Sequence, residues 1–384
     1  MRTVRCGAVF ATIVLIVACR ESTTEPAHSA GPLFSVDAVT SCPTPAAVTV
    51  TDEASLRAAL AAATPGEVIG LDGFFAVTAD ITVAVENVTL TCVTPGAGIF
   101  AAAEGSVVEL VTAGANGVVV DHLVLDGSAA QGDAYFAGAV AGVRLTSNTV
   151  TCSEGCAFFV GTREAVIADN YFESAGGITG VHLQMGFPGG PNDGTRIERN
   201  TIVATAPAGS ASFGGLRVRD GTNVTVTDNL VLGPWSNSIA PADLTESRFQ
   251  RNRLEGAAGF GIRFATGPSF VPISMTDNVF AQNIVTGAAT AGIFARLACR
   301  NTFAQNDLNG NGGNIGLTLD ATTGANIVVL PRGNTSDVID NGSFDCDGDG
   351  QVDPNRITGP GRIRTNVAFQ PPAGVATPGT HRLR

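Results

Sequence analysis

The strongest constraint on the fold of this chain is a short phrase that keeps returning: an apolar residue, two variable ones, an Asn, one more variable residue and a second apolar one. It occurs around Asn148, Asn170, Asn200, Asn229, Asn252, Asn278 and Asn301, with His122 in the equivalent slot of an earlier copy, at intervals of 22 to 30 residues. Three positions before the slot stand Val119, Leu145, Ile167, Ile197, Val226, Phe249, Met275 and Ala298. Two positions after it stand Val124, Val150, Phe172, Ile202, Val231, Leu254, Phe280 and Phe303. Columns that stay apolar through every copy predict two inward stacks. A period of about 25 residues made of short alternating strands fits one coil of a parallel β-helix, each strand pairing with its copy about 4.8 Å away. The predicted class is all-β, a right-handed parallel β-helix solenoid whose loops absorb insertions.

Two polar columns run beside the apolar ones. An Asn at the same turn of every coil suits the left-handed backbone and can stack its amide on the next Asn, so these asparagines read as structural. The residue just before the slot is Asp121, Ser147, Asp169, Arg199, Asp228, Arg251, Asp277 and Arg300, with strict alternation of acid and base from Asp169 onward. Opposite charges on neighbouring strands attract by about 0.2–1 kcal/mol per pair. The expectation is one continuous charge ladder that sets register, its members neutralised by pairing and so unsuited to catalysis.

A solenoid has open ends that need covering. At the amino end Asp52 is placed to cap a helix over about residues 54–63, with Leu56 and Leu60 on one face and Pro65-Gly66 stopping it. The first coil is expected from near Val68 and takes in Val83, Val88 and Leu90. This order of capping helix, Pro-Gly turn and coils over about residues 48–344 resembles the pectate-lyase-like β-helix superfamily.

The chain begins with an export signal: Arg2 and Arg5, then an apolar run over residues 8–18 too short to span a bilayer. It closes on Ile16-Val17-Ala18-Cys19, which resembles the lipobox of bacterial lipoproteins, where the Cys becomes the acylated first residue. The predicted organisation is a signal over residues 1–18, a lipidated tether over 19–47, the β-helix over 48–344 and an acidic loop and tail over 345–384. Arg20 after the anchor lacks the Asp typical of inner-membrane retention, which points to an outer membrane or cell surface, with the membrane reached through the lipid alone. Removing residues 1–18 takes away two arginines and no acid, so the net charge of -12 becomes -14, and nucleic acid is excluded as a natural partner. There is no lysine at all, and 47 glycines suit many tight turns.

Apart from Cys6 and Cys19, six cysteines remain, an even number in an exported chain. Nearest neighbours in sequence give Cys42 with Cys92, Cys152 with Cys156, and Cys299 with Cys346. The rival, a zinc site, finds no matching spacing and few histidines.

Candidate chemistry lies on a second strand with a Gly-apolar start: Gly180-Val181-His182-Leu183, Gly215-Leu216-Arg217-Val218-Arg219, Gly261-Ile262-Arg263-Phe264 and Gly292-Ile293-Phe294-Ala295-Arg296. With the apolar residues inward, period two turns His182, Arg217, Arg219 and Arg263 outward along one face, with Asp220 closing the third strand. On an acidic protein such a row suits an anionic polysaccharide. The resemblance implies a further activity, since superfamily lyases use an arginine or lysine base with calcium-binding acids on a sheet face. Here His182 or one of the arginines would have to serve, and no clustered acids are visible nearby. The Asn-Thr-Asp, Asp-Asp and Gly-His-Gly signatures of the polygalacturonase-like hydrolases are missing, and Asp193 and Asp243 stand isolated. Aromatic platforms look scarce: Trp235, in Gly233-Pro234-Trp235, is placed on a loop or as a lid over a hydrophobic gap, and at least four of the twenty phenylalanines fall in the core columns and neighbouring turns, so their number points to no binding site.

The sharpest local motif is Asp345-Cys346-Asp347-Gly348-Asp349-Gly350-Gln351-Val352-Asp353. Acids at alternate positions with Gly at the sixth resemble the first nine positions of an EF-hand-type calcium loop, with Arg356 where the twelfth acid would stand. The candidate calcium ligands are Asp345, Asp347, Asp349, Gln351 and Asp353. The functional expectation is a surface lipoprotein engaging an extended anionic polysaccharide. The alternatives are a structural or adhesive protein without a carbohydrate site, and a polysaccharide lyase.

Overall fold

A computed structural model describes residues 41–104, 107–174, 179–184, 190–205, 214–264 and 275–365. The signal, Cys19 and nearly all of the tether lie outside the described residues. Each coil crosses three parallel sheets in turn, of 13, 9 and 15 strands. Most strands are three to six residues long because the coil must soon turn, and Gly214–Thr222 and Asn237–Thr245 reach nine. Alternate residues therefore point inward, and like residues stack in register from coil to coil.

In the first sheet the inward stack runs Ile69, Leu90, Val120, Leu145, Ile167, Ile197, Val226, Phe249, Phe280, Phe303 and Val328, none more than 2% exposed. The second sheet stacks Ile99, Leu125, Val150, Phe172, Ile202, Val231, Leu254 and Val285. Burying each such side chain contributes about 1.5–3 kcal/mol, so the core is a sum of many similar layers.

The register corrects the sequence alignment in two places. In the earliest copy Val120 and Leu125 face the core, whereas Val119 and Val124 are half-buried, and the slot belongs to Leu123, not His122. Further along, the single Asn column divides into two ladders at two different corners. One runs Asn148, Asn170, Asn200, Asn229, Asn252, Asn283, Asn306 between the first and second sheets. The other runs Ser247, Asn278, Asn301, Asn326, Asn355 between the third and first sheets. Within each ladder Oδ1 accepts the backbone N–H of the preceding coil's Asn, and between successive asparagines it also accepts an amide hydrogen, at 2.9 to 3.2 Å. The left-handed conformation falls on the residue before the Asn: Ser147, Asp169, Arg199, Asp228 and Arg251 all have φ between 53° and 59°.

Splitting the ladder also breaks the continuous charge column. Arg199 bonds Asp169, Arg251 bonds Asp228 and Arg300 bonds Asp277, at 2.7 to 3.0 Å. The coil after Arg251, however, presents Gln282, and Asp277 lies at the other corner. Asp169, Arg199, Asp228 and Arg251 thus stack in the expected order on four successive coils, bonded as two half-exposed pairs, and Asp277 with Arg300 forms a third pair at the other corner, so the column is continuous over four members and not six.

Helix α1, Glu53–Ala62, begins at Asp52, whose carboxylate accepts from Ser55 while the Ser55 hydroxyl accepts from the Asp52 N–H, a capping box. Leu56 is fully buried beneath it, and Arg57 donates to the Ala79 and Asp80 carbonyls, fixing the helix over the first coil. A strand at Val48–Val50 already joins the first sheet ahead of the helix. At the other end Arg356–Thr358 and Ile363–Thr365 carry the first and third sheets on beyond the acidic loop. The three disulfides join the expected partners, with Cα separations of 5.3 Å for Cys42–Cys92, 5.0 Å for Cys152–Cys156 and 5.8 Å for Cys299–Cys346. Among the described residues no helix is long and apolar enough to cross a membrane.

Candidate functional site

The third sheet stacks Tyr135, Ala157, Val181, Leu216, Ile239, Ile262 and Ile293 inward on successive coils. Period two then turns the next residue of each strand outward: Phe136, Phe158, His182, Arg217, Ala240, Arg263 and Phe294. Neighbours in this row are in direct register from Phe136 to Arg217 and from Arg263 to Phe294, and the Ile239–Ile262 pairing sets Ala240 beside Arg263. Six strand steps make the row about 29 Å long.

The predicted basic residues thus share one face, but they do not form an unbroken basic row. His182 and Arg217 are adjacent, Arg219 lies two residues along its strand opposite Ala242, and Ala240 separates Arg217 from Arg263. His182 is not a cation. Burial first, and then Arg217 and Arg219, hold its imidazole well below the usual histidine pKa. Its ring lies flat on Phe158, centroids 4.5 Å apart and 12° from parallel. Its Nε2 is buried without a hydrogen-bond partner, as is Nε of Arg219, a residue only 5% exposed. Buried polar atoms left unpaired cost about 1–3 kcal/mol each.

Around them the arginines are constrained. Burial, then Arg219, pushes Arg217 down to about 10, with Asp220 opposing. Arg263 is lowered by burial and then by Arg296, and its guanidinium sits 5.4 Å over the Phe260 ring. Arg296 donates from Nε to the Phe264 carbonyl at 3.2 Å. Asp220, 5% exposed, lies at a turn with φ 58°, opposite Asp243 on the next coil. Asp243, isolated in sequence, is thus brought beside Asp220 at the end of the arginine strand. Asp193 is structural, accepting the Thr222 N–H at 2.7 Å.

Sequence reasoning missed the aromatic half of the row. Phe136, Phe158 and Phe294 are half-buried on the outer face and not core, with Phe136 edge-on to Phe158 at 5.9 Å and Phe294 against Phe260 at 5.3 Å. Trp235 does sit on the loop between the strands Leu230–Leu232 and Asn237–Thr245, but it points inward and is fully buried in the core. Aligning the strands at Asp133 and Gly155 with the Gly-apolar strands would have put both phenylalanines in the His182 column.

In the acidic loop the carboxylate oxygens of Asp345, Asp347 and Asp353 all lie within 4.8 Å of one another. Asp349 is not in that group and instead accepts the Gln351 N–H at 2.8 Å. The N–H groups of Gly350 and Gly348 hold the Asp345 carboxyl below the usual carboxylate range. Three converging carboxylates fit a hard cation such as calcium.

Residues 189–336 match the right-handed β-helix region family. No curated protein sequence matches the chain. Among solved structures, the Dettilon tailspike protein aligns with a TM-score of 0.53 at 14% identity, over 83% of this chain and 68% of that one. The DFA-IIIase of Arthrobacter chlorophenolicus A6 in complex with GF2 aligns with a TM-score of 0.51 at 15% identity, over 84% of this chain and 83% of that one. The same enzyme without its lid gives 0.52 at 15% identity, over 86% and 98%. At such identities the likeness is one of fold: this chain is a right-handed parallel β-helix.

Proposed function

We propose that this protein is an exported surface lipoprotein, acylated at Cys19, that engages an extended anionic polysaccharide along the outer face of its third sheet. The observation that carries the reading is the outward row itself, aromatic rings at Phe136 and Phe158 continued by His182 and Arg217. Flat rings accept sugar faces and half-buried arginines accept acidic groups, at a strand spacing that a linear polymer can follow. Replacing Arg217 and Arg263 together with Ala should abolish retention on an anionic-glycan column while moving the melting temperature little, and wild-type retention should fall with salt. If the wild type binds no glycan across acidic and neutral panels, the structural or adhesive role replaces this one. A second reading, a polysaccharide lyase, is favoured by the neutral His182 with its unpartnered Nε2, the state a general base requires. Release of unsaturated products absorbing in the ultraviolet would promote it.

A further inference from the structure

The nine strands of the second sheet present an outer face unlike the other two. Its first outward column starts at Phe74, passes Val124 and Tyr171 and ends at Ile284, and its second starts at Ala76 and Phe100. Phe74 and Ile284, at the two ends, are 47% and 45% exposed. Gly98 stands opposite Phe74 with no side chain, and the Phe74 ring lies against Phe100, centroids 4.9 Å apart. The charged residues of this face are engaged within it or beside it. Arg253 pairs with Glu255, Glu173 accepts from the Tyr171 hydroxyl at 3.0 Å, and Asp126 accepts the Ser128 N–H at 3.0 Å. The first sheet, by contrast, turns Arg144, Arg196 and Arg248 out to solvent, and the third carries the arginines of the glycan face.

The amino-terminal tether leaves the solenoid beside the second sheet. The Cys42–Cys92 disulfide pins Cys42 to the end of the first-sheet strand Thr89–Cys92, and the next strand of that coil, Gly98–Ala101, is the one that pairs with Phe74–Val77. Val93, at the start of the turn between them, is 38% exposed and adds a further apolar group at this corner. Residues 20–41 reach at most about 75 Å when fully extended, so an acyl group on Cys19 lets the solenoid lie along a bilayer as well as stand off it.

Eight strand steps make the face about 38 Å long, and two outward columns make it about 10 Å wide, so it offers about 400 Å². That is half of the roughly 800 Å² per partner that a specific protein interface buries, too little to hold a second copy unaided. A tethered surface needs less, because the anchor supplies the local concentration. The net charge of -12 favours approach to a lipid surface by the least charged face. Resting on the lipoprotein reading above, we infer that the outer face of the second sheet lies on the lipid surface, with Phe74, Phe100 and Ile284 entering the headgroup region of a zwitterionic bilayer. The third sheet, a different side of the coil, stays open to its ligand.

Tryptophan is the reporter, because the native Trp235 is fully buried. The acylated protein is bound to phosphatidylcholine vesicles whose brominated acyl chains quench only indoles in contact with lipid. Phe74→Trp and Ile284→Trp should be quenched at least about threefold more than Arg248→Trp on the first sheet and Phe294→Trp on the third, all with unchanged melting temperature. A chain from residue 20 with a hexahistidine segment in place of the acylated Cys19, held on nickel-chelating lipid, repeats the measurement without acylation. If the exported protein carries no acyl group but the histidine-held chain shows the same contrast, the lipoprotein reading falls and the lipid affinity of the face stands. Equal quenching on all three faces, or none at Phe74 and Ile284, overturns the inference and leaves the anchor standing. A dimer in sedimentation that Phe74→Asp/Ile284→Asp dissociates assigns the face to a second copy and overturns it as well.

Discussion

Replacing Asn200 with Ala tests what holds the coils in register. Asn200 is 1% exposed and sits in the middle of the longer ladder. Its Oδ1 accepts the Asn170 backbone N–H and an Asn170 amide hydrogen, both at 3.0 Å, and its Nδ2 donates to the Ile167 carbonyl and to Asn229 Oδ1, both at 2.9 Å. Alanine removes all four bonds. Asn229 Oδ1 keeps the backbone N–H of residue 200, but two donors of Asn170 and the Ile167 carbonyl lose this partner in a space closed to water. At about 1–3 kcal/mol for each buried group left unsatisfied, and allowing for overlap between them, the loss should be about 3–6 kcal/mol. Asn355, the last rung of the shorter ladder, is only part-buried, so water can replace its bonds to Asn326 and Asp340. Asn355→Ala should therefore cost less than half as much. Urea unfolding gives both values, and hydrogen exchange at the Asn170 amide gives the local effect, which should be faster exchange in Asn200→Ala. If the two variants lose the same stability, or if Asn200→Ala loses under about 1 kcal/mol, the ladder is an ornament of the turns, and the apolar stacks alone set register.

Two further predictions concern titration and metal. Burial, then Glu109 and Glu154, pushes Asp133 up to about 8, and burial first pushes Glu109 up to about 7. An acid whose folded pKa is raised stabilises the fold fully below its unfolded value near 3.9 and loses that contribution as pH climbs toward the folded value. For Asp133 the swing is on the order of 5 kcal/mol at about 1.4 kcal/mol per unit. Wild-type melting temperature should fall between about pH 4 and pH 8, and Asp133→Asn should flatten that fall; an unchanged profile in the variant would reject the assignment. For the acidic loop, a dissociation constant of about 0.1–1 mM, usual for extracellular calcium modules, predicts about 1.4–2.7 kcal/mol of stabilisation in 10 mM calcium. The melting temperature should rise in the wild type and not in Asp345→Asn/Asp353→Asn, and no rise in the wild type leaves only an acidic turn.

What the sequence disclosed, and what it hid, follow from one physical distinction. The inward stacks were legible because each coil must bury a side chain at the same point, so Leu145, Ile167, Ile197, Val226 and Phe249 repeat one property in one column. The capping helix was legible because it is local, Asp52 and Ser55 needing only each other, and the disulfides, two of which span 50 and 47 residues, were legible because only six cysteines were left to pair. The alignment slipped where a ladder ends. Leu123 offers Asn148 only its backbone N–H, so the end slot needs no Asn, and the polar His122 next to it drew the alignment one residue off. It slipped again where two corners use the same turn chemistry. Phe280 lies two residues after Asn278 and three before Asn283, so one phrase fits both ladders, and the charge column was read across the break. The outer row of the third sheet has no such signature. Phe136, Phe158, His182, Arg217, Ala240 and Arg263 share a line and no property, because an inward stack must fill the same core at every coil whereas an outward row has no such demand to repeat. Such a face becomes visible only once the inward columns have fixed the register.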